Sequence, residues 1–475
     1  MKKLIYIFLL AGFMGVVSCE DKLELEPFDA LDAAQAFETN TDFNNALKGA
    51  YAFLRDGNYY GGEFYLLPDA ISDNLIISSE GRFSYQDYYL FNLNGNIAWF
   101  QFWRAAYDVI LRTNHIIENI DNLADGDFKD DILGQAYALR AMAHFDLARV
   151  YSKPPQFAGG SDLGIAYITG TDAANLPARS TVGETFTAIL ADFDAAVPLI
   201  GDDNGTGYLN LAALQALRAR YFLYTGNNAS AITASDAAIA ASVNGGVSTI
   251  SDFPDIWDDL TENGVIFKVI NTNLDDVGVG VVYNQSSPDG IRSEYVPDFA
   301  FYSQFQATDV RSTWFETSDF AGSSFNHVIK YLQRPGSNQA TVDMKVIRWS
   351  EVYLTRAEAR AETSNDAGAL ADLDAVRSQR YTGFVSGGES GAALKAAIQL
   401  ERRLELAFEG HRMFDLKRQG LPINRSNNGD YSDGTGIKPD PSVLTLPASS
   451  PKFQMPIPQD EMNANPNMQP NPSNG

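Results

Sequence analysis

The chain has 475 residues, 45% of them apolar and 12% aromatic, with a formal charge of −25. That apolar content is enough for a large core and excludes a disordered chain. The acidity, with no basic stripe, repels phosphate backbones, so no nucleic-acid partner is expected.

Lys2 and Lys3 precede an uncharged apolar run from Leu4 to Val17. It is short for a bilayer span and reads as a signal peptide over residues 1–18. Val16, Val17 and Ser18 lead to Cys19, the only cysteine, in a pattern that resembles a bacterial lipobox. A lone cysteine in an exported chain has no internal disulfide partner. Lipidated, Cys19 would hold the protein on a membrane, since each buried methylene contributes about 0.8 kcal/mol. Residues 19–36 read as a linker, and Glu20-Asp21-Lys22 is similar to the acidic signals that send lipoproteins to the cell surface.

Residues 73–99 have loop-like composition. A helix is predicted over 100–123, with Phe102, Trp103, Ala106, Tyr107, Ile110 and Ile117 forming an apolar stripe. His115 inside it and His144 beyond it are expected to be packed or hydrogen-bonded, because no second His or Cys lies at metal-ligand spacing. No metal and no cofactor are expected.

Three Ala-rich helices share a short step: Ala138-Leu139-Arg140-Ala141, Ala216-Leu217-Arg218-Ala219 and Leu354-Thr355-Arg356-Ala357. Each precedes a helix carrying an Asp-Ala step, at Asp194-Ala195, Asp236-Ala237 and Asp374-Ala375. Small residues at close spacing let a neighbouring helix approach. The joins at 225–228, where Gly226 suits a helix end, and at 363–366, with Asp366 as N-cap, make the unit a helical hairpin. Such hairpins resemble tetratricopeptide (TPR) repeats, placed here at about 132–243 and 346–381.

Between them, at about 245–345, β-branched runs at 265–271, 277–284 and 327–332 are separated by Gly, Ser, Asn and Pro. They predict short strands and long loops. The expected fold class is mainly α: an irregular superhelix of TPR-like hairpins with a loop-rich, short-strand part, in one domain over 37–475.

A further helix places Ala393, Ala397, Leu400, Leu404 and Phe408 on one stripe and stops at Gly410. Glu401, Arg402, Arg403, Glu405, Glu409, Arg412 and Asp415 crowd around His411. Catalytic carboxylates need a cleft and unequal environments. Acids interleaved with arginines instead predict a charge-paired structural element, and no Ser or Cys nucleophile accompanies His411. The tail beyond Pro422, rich in Asn, Pro and Ser, is expected to wrap the surface or to end freely.

The stretch ERRLELAFEGHRMFDLKRQG (401–420) resembles the C-terminal signature of the SusD/RagB family of outer-membrane nutrient-binding lipoproteins, with Gln419 where an aromatic often stands. VIKYL (328–332), VIRWSEVYLTRAEARAE (346–362) and FQMPIPQDEMNANPNMQPNP (453–472) are similar to further family segments in the same order. The resemblance implies a body of four TPR hairpins and a loop-rich face that grips oligosaccharide without catalysis. It also implies a lipid anchor on the outer membrane, facing outward, and a SusC-like TonB-dependent transporter as partner.

By analogy with the family, the ligand-binding candidates are Asp73, Asn74, Arg82 and Trp99 in 73–99, and Tyr283, Tyr295 and Trp314 in 283–314. Sugar rings stack their C–H faces on aromatic planes, and polar side chains take the hydroxyls. Rival readings are a peptide or other small-polymer binder of the same family, a glycoside hydrolase, which needs two carboxyls roughly 5 to 10 Å apart, and a protein-binding TPR adaptor.

Overall fold

Capped helices pair along the chain in the computed structural model, which describes residues 36–474 apart from 98, 173, 243, 244, 276 and 277. Cys19 and the signal-peptide reading lie outside the described residues. Thr39 and Asp42 form a capping box for α1 (Asn40–Phe53), which packs on α2 (Phe100–Asn119). Then α3 (Asp127–Tyr151) lies against α4 (Val182–Ala196), α5 (Leu211–Tyr224) against α6 (Asn228–Ala240), and α7 (Trp349–Glu362) against α8 (Asp366–Arg377).

Each pair also touches the next, α2 on α3, α4 on α5 and α6 on α7, so faces that one hairpin leaves bare are buried by its neighbour. Two further helices, α9 (Gly391–Glu405) and α10 (Arg412–Gln419), follow the last hairpin, and α9 packs on α7. The fold is mainly α, an irregular stack of TPR-like hairpins. Among the described residues no helix is long and apolar enough to cross a membrane.

Two of the repeated sequence steps form ion pairs that tie one hairpin to the next. Arg218 of the second copy reaches back to Asp194 of the preceding hairpin at 2.5 Å, and Arg356 of the third reaches Asp236 at 2.6 Å. Within hairpins, Arg140 grips Asp192 with two hydrogen bonds and Arg356 grips Asp372 likewise. These bidentate contacts fix the relative rotation of the helices as well as adding attraction. His144 is buried in the same region, its Nε2 accepting from the Ile168 N–H and its Nδ1 lying 3.0 Å from the Arg140 carbonyl. Burial and the nearby Arg140 charge push it down to about 3.

The strands come in antiparallel pairs. β1 (Leu75–Ile77) pairs with β5 (Tyr295–Pro297), β2 (Val265–Val269) with β8 (Met344–Arg348), β3 (Gln285–Ser287) with β4 (Gly290–Arg292), and β6 (Phe315–Phe320) with β7 (Ser323–Val328). The β1–β5 pair carries the 73–99 segment onto the inserted 245–345 region and so builds one loop-rich face.

Four local expectations are corrected. The described part of 277–284 does not form a strand: Val279–Tyr283 is a buried helical turn. It packs so closely that a Cβ on Gly280 would lie 2.1 Å from the Tyr331 carbonyl oxygen. Within 327–332 the strand ends at Val328, and the chain turns so that Lys330 enters the core. The N-cap of α8 is Asn365, accepting from the Gly368 N–H, while Asp366 begins the helix.

The buried face of α9 is only partly the expected one: Leu404 is buried and Ala397 packs against the core, but Leu394, Ile398, Glu401 and Glu405 also point inward, whereas Ala393 and Leu400 are exposed. Phe408 lies beyond the helix at φ 66°. Glu401 and Glu405 turn inward to meet arginines from other elements, and on a helix that rotates Leu400 out to solvent. The tail is an ordered wrap: buried Asn471 donates to the carbonyls of Tyr151 and Met455 and accepts from Arg179.

Candidate functional site

The charged cluster that opens the C-terminal signature lies inside the molecule. Glu405 accepts from Arg348 at 2.7 Å, from Arg380 at 2.8 and 2.9 Å, and from Arg311 at 3.3 Å. Glu409 accepts from Arg348 and from Lys330, and Glu401 lies 2.8 Å from Arg311 and 3.1 Å from Arg377. Arg402 and Arg418 share Asp415, and Arg418 also grips Glu358.

Burial works against every charge here, yet the surrounding guanidiniums hold Glu405 and Asp415 well below the usual carboxylate range. His411 is buried beside Arg220 and Arg402 and is pushed well below its ordinary value, so it stays neutral. Paired acids and a neutral imidazole, all closed off from water, leave no surface on which a substrate could be processed.

Most of the sequence-derived ligand candidates lie in the core as well. Trp99 is 0% exposed, packed against Phe64 and Phe102, and its carbonyl accepts from the Tyr151 hydroxyl. Trp314 is sandwiched with Phe253, Trp257 and the Lys330 ammonium, which sits 3.7 Å from its ring centroid. Tyr283 and Tyr295 are fully buried, and the Tyr295 hydroxyl donates to the Tyr85 carbonyl. These four rings are held as core and offer no face to a sugar.

Asp73 and Asn74 are buried too. Asp73 takes two hydrogen bonds from Arg412 and lies 3.4 Å from Arg403. Asn74 donates to Asp69 and accepts from Arg403. Burial would raise the Asp73 carboxyl, but Arg412 and Arg403 bring it below its ordinary value. They lock the start of the 73–99 segment to the signature helices.

Arg82 is the exception, an exposed residue on the loop-rich face. Glu294, itself buried, accepts from the Arg82 N–H at 2.8 Å, from its Nε at 2.7 Å and from the Ser84 N–H at 3.1 Å. Arg292 holds the carbonyls of Glu80 and Gly81, and Asp430 accepts from the Ser79 N–H. Clamped from below, the loop carries three non-glycine residues in the left-handed region: Phe83 (φ 59°), Tyr85 (φ 61°) and Phe91 (φ 57°).

Such backbone costs of order 1–3 kcal/mol per residue and persists only where its surroundings enforce it, a pattern that concentrates at ligand-contacting sites. Its product is Phe83 standing 47% exposed, with Tyr85 and Tyr88 half-buried beside it. Burial pushes the Glu63 carboxyl, next to Trp99 and Tyr85, up to about 7. Neighbouring loops complete the face: Gly290 packs on Asp319 and Phe320, and Gly434 approaches the Phe299 ring so closely that a Cβ would lie 2.5 Å from it.

Two family models match the chain, one described as the SusD family over residues 265–473 and one as starch-binding, associating with the outer membrane, over residues 23–222. The chain belongs to the SusD family. It is 24% identical to SusD-like protein P2 of Formosa agariphila over 99% of this chain and 98% of that protein.

Among solved structures, a Bacteroides vulgatus protein provisionally described as sugar-binding superposes with a TM-score of 0.83 at 28% identity, covering 92% of this chain and 99% of that one. A SusD superfamily protein of Bacteroides thetaiotaomicron gives 0.81 at 25% identity, covering 91% of this chain and all of that one. In this SusD-family chain, sequence reasoning passed over Phe83 although it lies between Gly81-Arg82 and Ser84. The signal was there, an aromatic flanked by glycine and polar residues with no apolar period around it.

Proposed function

We propose that this chain is a lipoprotein anchored through Cys19 on the outside of the outer membrane, which grips oligosaccharide on its loop-rich face. It passes the ligand to a SusC-like TonB-dependent transporter and performs no chemistry on it. The observation that carries this reading is the clamped loop that presents Arg82 and Phe83 together: a ring for the C–H face of a sugar and a guanidinium for its hydroxyls. The starch-binding description of the matching family model and the sugar-binding description of the Bacteroides vulgatus relative support it.

Delivery requires release, so binding in the micromolar to millimolar range, about −8 to −4 kcal/mol, suits the task. Calorimetric titration of residues 20–475 with neutral α- and β-linked glucan oligosaccharides tests the proposal. Saturable binding with the oligosaccharides recovered intact is expected. Absence of binding across the panel, or accumulation of shorter products, contradicts it.

A further inference from the structure

A cavity of about 550 Å³, none of whose lining residues belongs to 73–99 or 283–314, opens between the C-terminal end of α10, the 153–157 turn and the 448–454 loop. This volume is in the range of small-molecule sites. In a chain with 60 acidic side chains its lining contains Lys153 and Lys417 and no Asp or Glu.

The Lys417 ammonium is buried and donates to the Arg149 carbonyl at 2.6 Å and the Val150 carbonyl at 3.3 Å. No carboxylate pairs with it among the described residues, and an ammonium has three protons to donate. Lys153 is partly exposed and rests 2.9 Å from Asp162. Phe157 is 51% exposed, and its inner face lies against Gly420, where a Cβ would come within 2.9 Å of the ring. Gly420 ends α10 at φ 63°, so its missing side chain serves two purposes: the left-handed turn and the seat of the aromatic ring.

We infer that this cavity is a second saccharide-contacting site, taking a sugar unit that bears a carboxylate or a sulfate ester, its ring on Phe157 and its anionic group toward Lys153 and Lys417. The inference rests on the reading of the chain as a saccharide binder and names a substrate class for it. Burial and the Arg149 charge hold the Lys417 ammonium well below its ordinary value, a penalty that an incoming anion relieves. Neutral oligosaccharides gain no charge pairing from the lysines, and their main contact is with the loop-rich face.

The test titrates the soluble chain with oligogalacturonate, with a sulfated galactan oligosaccharide and with neutral oligosaccharides. It compares the wild type, Lys153→Gln, Phe157→Ala and the Arg82→Ala/Phe83→Ala double variant. At least one anionic ligand is expected to bind, more weakly as salt rises, with affinity falling roughly fivefold or more in Lys153→Gln and in Phe157→Ala. Both substitutions lie at partly exposed positions, and neutral binding stays unchanged in them.

The inference is overturned if anionic ligands bind no better than neutral ones, or if neither single variant alters their affinity; neutral binding lost only in the double variant then leaves the loop-face reading standing. Anionic binding that depends on Lys153 and Phe157, without any neutral binding, upholds the cavity and removes the loop face. Silence from all three ligand types removes both.

Discussion

Around Glu405, Arg311, Arg348 and Arg380 are closed off from water, spending their donors on carboxylates, carbonyls and hydroxyls of the same chain. On the loop-rich face, Arg82 uses its Nε on Glu294 and keeps much of its guanidinium in solvent. Both regions combine arginine, acid and aromatic rings, and on paper the first is the richer in chemistry-bearing side chains. Burial separates them: the paired interior charges brace the frame, and the strained loop presents side chains outward. The density of charged residues in a sequence therefore points here to architecture, and the sparse loop is the one that presents side chains to solvent.

Breaking the interior network should have the largest effect. Arg348→Met leaves Glu405 and Glu409 short of their shared partner, and removing one partner of a buried pair costs about 3–5 kcal/mol. Urea unfolding reads this directly; a loss under 1 kcal/mol would mean that the network braces nothing. Trp99→Ala and Trp314→Ala should cost about 3–5 kcal/mol each, as core rings do. Normal stability with ligand binding selectively lost would return both residues to the contact surface.

The two sides of α9 sharpen the contrast further. Ile398→Ala is expected to cost about 2–4 kcal/mol, while Leu400→Ala, on the exposed side, should stay within about 1 kcal/mol. The reverse order would place the helix as its apolar stripe alone suggests.

The pH dependence of stability separates the regions by sign. Glu405 and Asp415 have lowered values, so their contribution is present above the ordinary carboxylate range and is lost as pH falls below it. Glu63 is raised to about 7, so its contribution is present at pH 4 and is lost as pH rises through 7. Glu63→Gln should abolish that second decline, a difference on the order of 2 kcal/mol between pH 5 and pH 8. Identical pH profiles for the variant and the wild type would rule out a charge penalty at Glu63.

Much of the frame was readable from sequence because helices announce themselves locally. The repeated Arg and Asp-Ala steps marked real hairpins, and at Arg218–Asp194 and Arg356–Asp236 their side chains bridge one hairpin to the next. The buried face of α9 was only partly readable: its orientation depends on Arg311 and Arg380, which lie 94 and 25 positions from Glu405. Helix α9 can satisfy those ion pairs only by exposing Leu400. The candidate aromatics failed for a related reason. A tryptophan in a loop-like segment looks the same whether the loop folds over it or presents it, and the Phe64, Phe102 and Tyr151 side chains that enclose Trp99 come from three separate elements. For Phe83 the flanking Gly81, Arg82 and Ser84 marked a loop, but the left-handed backbone that turns the ring outward is held by Glu294, 212 positions from Arg82.

The most direct test of this account is calorimetric titration of a neutral oligosaccharide against the Arg82→Ala/Phe83→Ala double variant, with its thermal midpoint measured alongside. The account predicts affinity at least about tenfold weaker, 1.4 kcal/mol, in a variant that still unfolds in one cooperative transition, its midpoint lowered by the loss of the partner of buried Glu294. Unchanged affinity in a folded variant would contradict it.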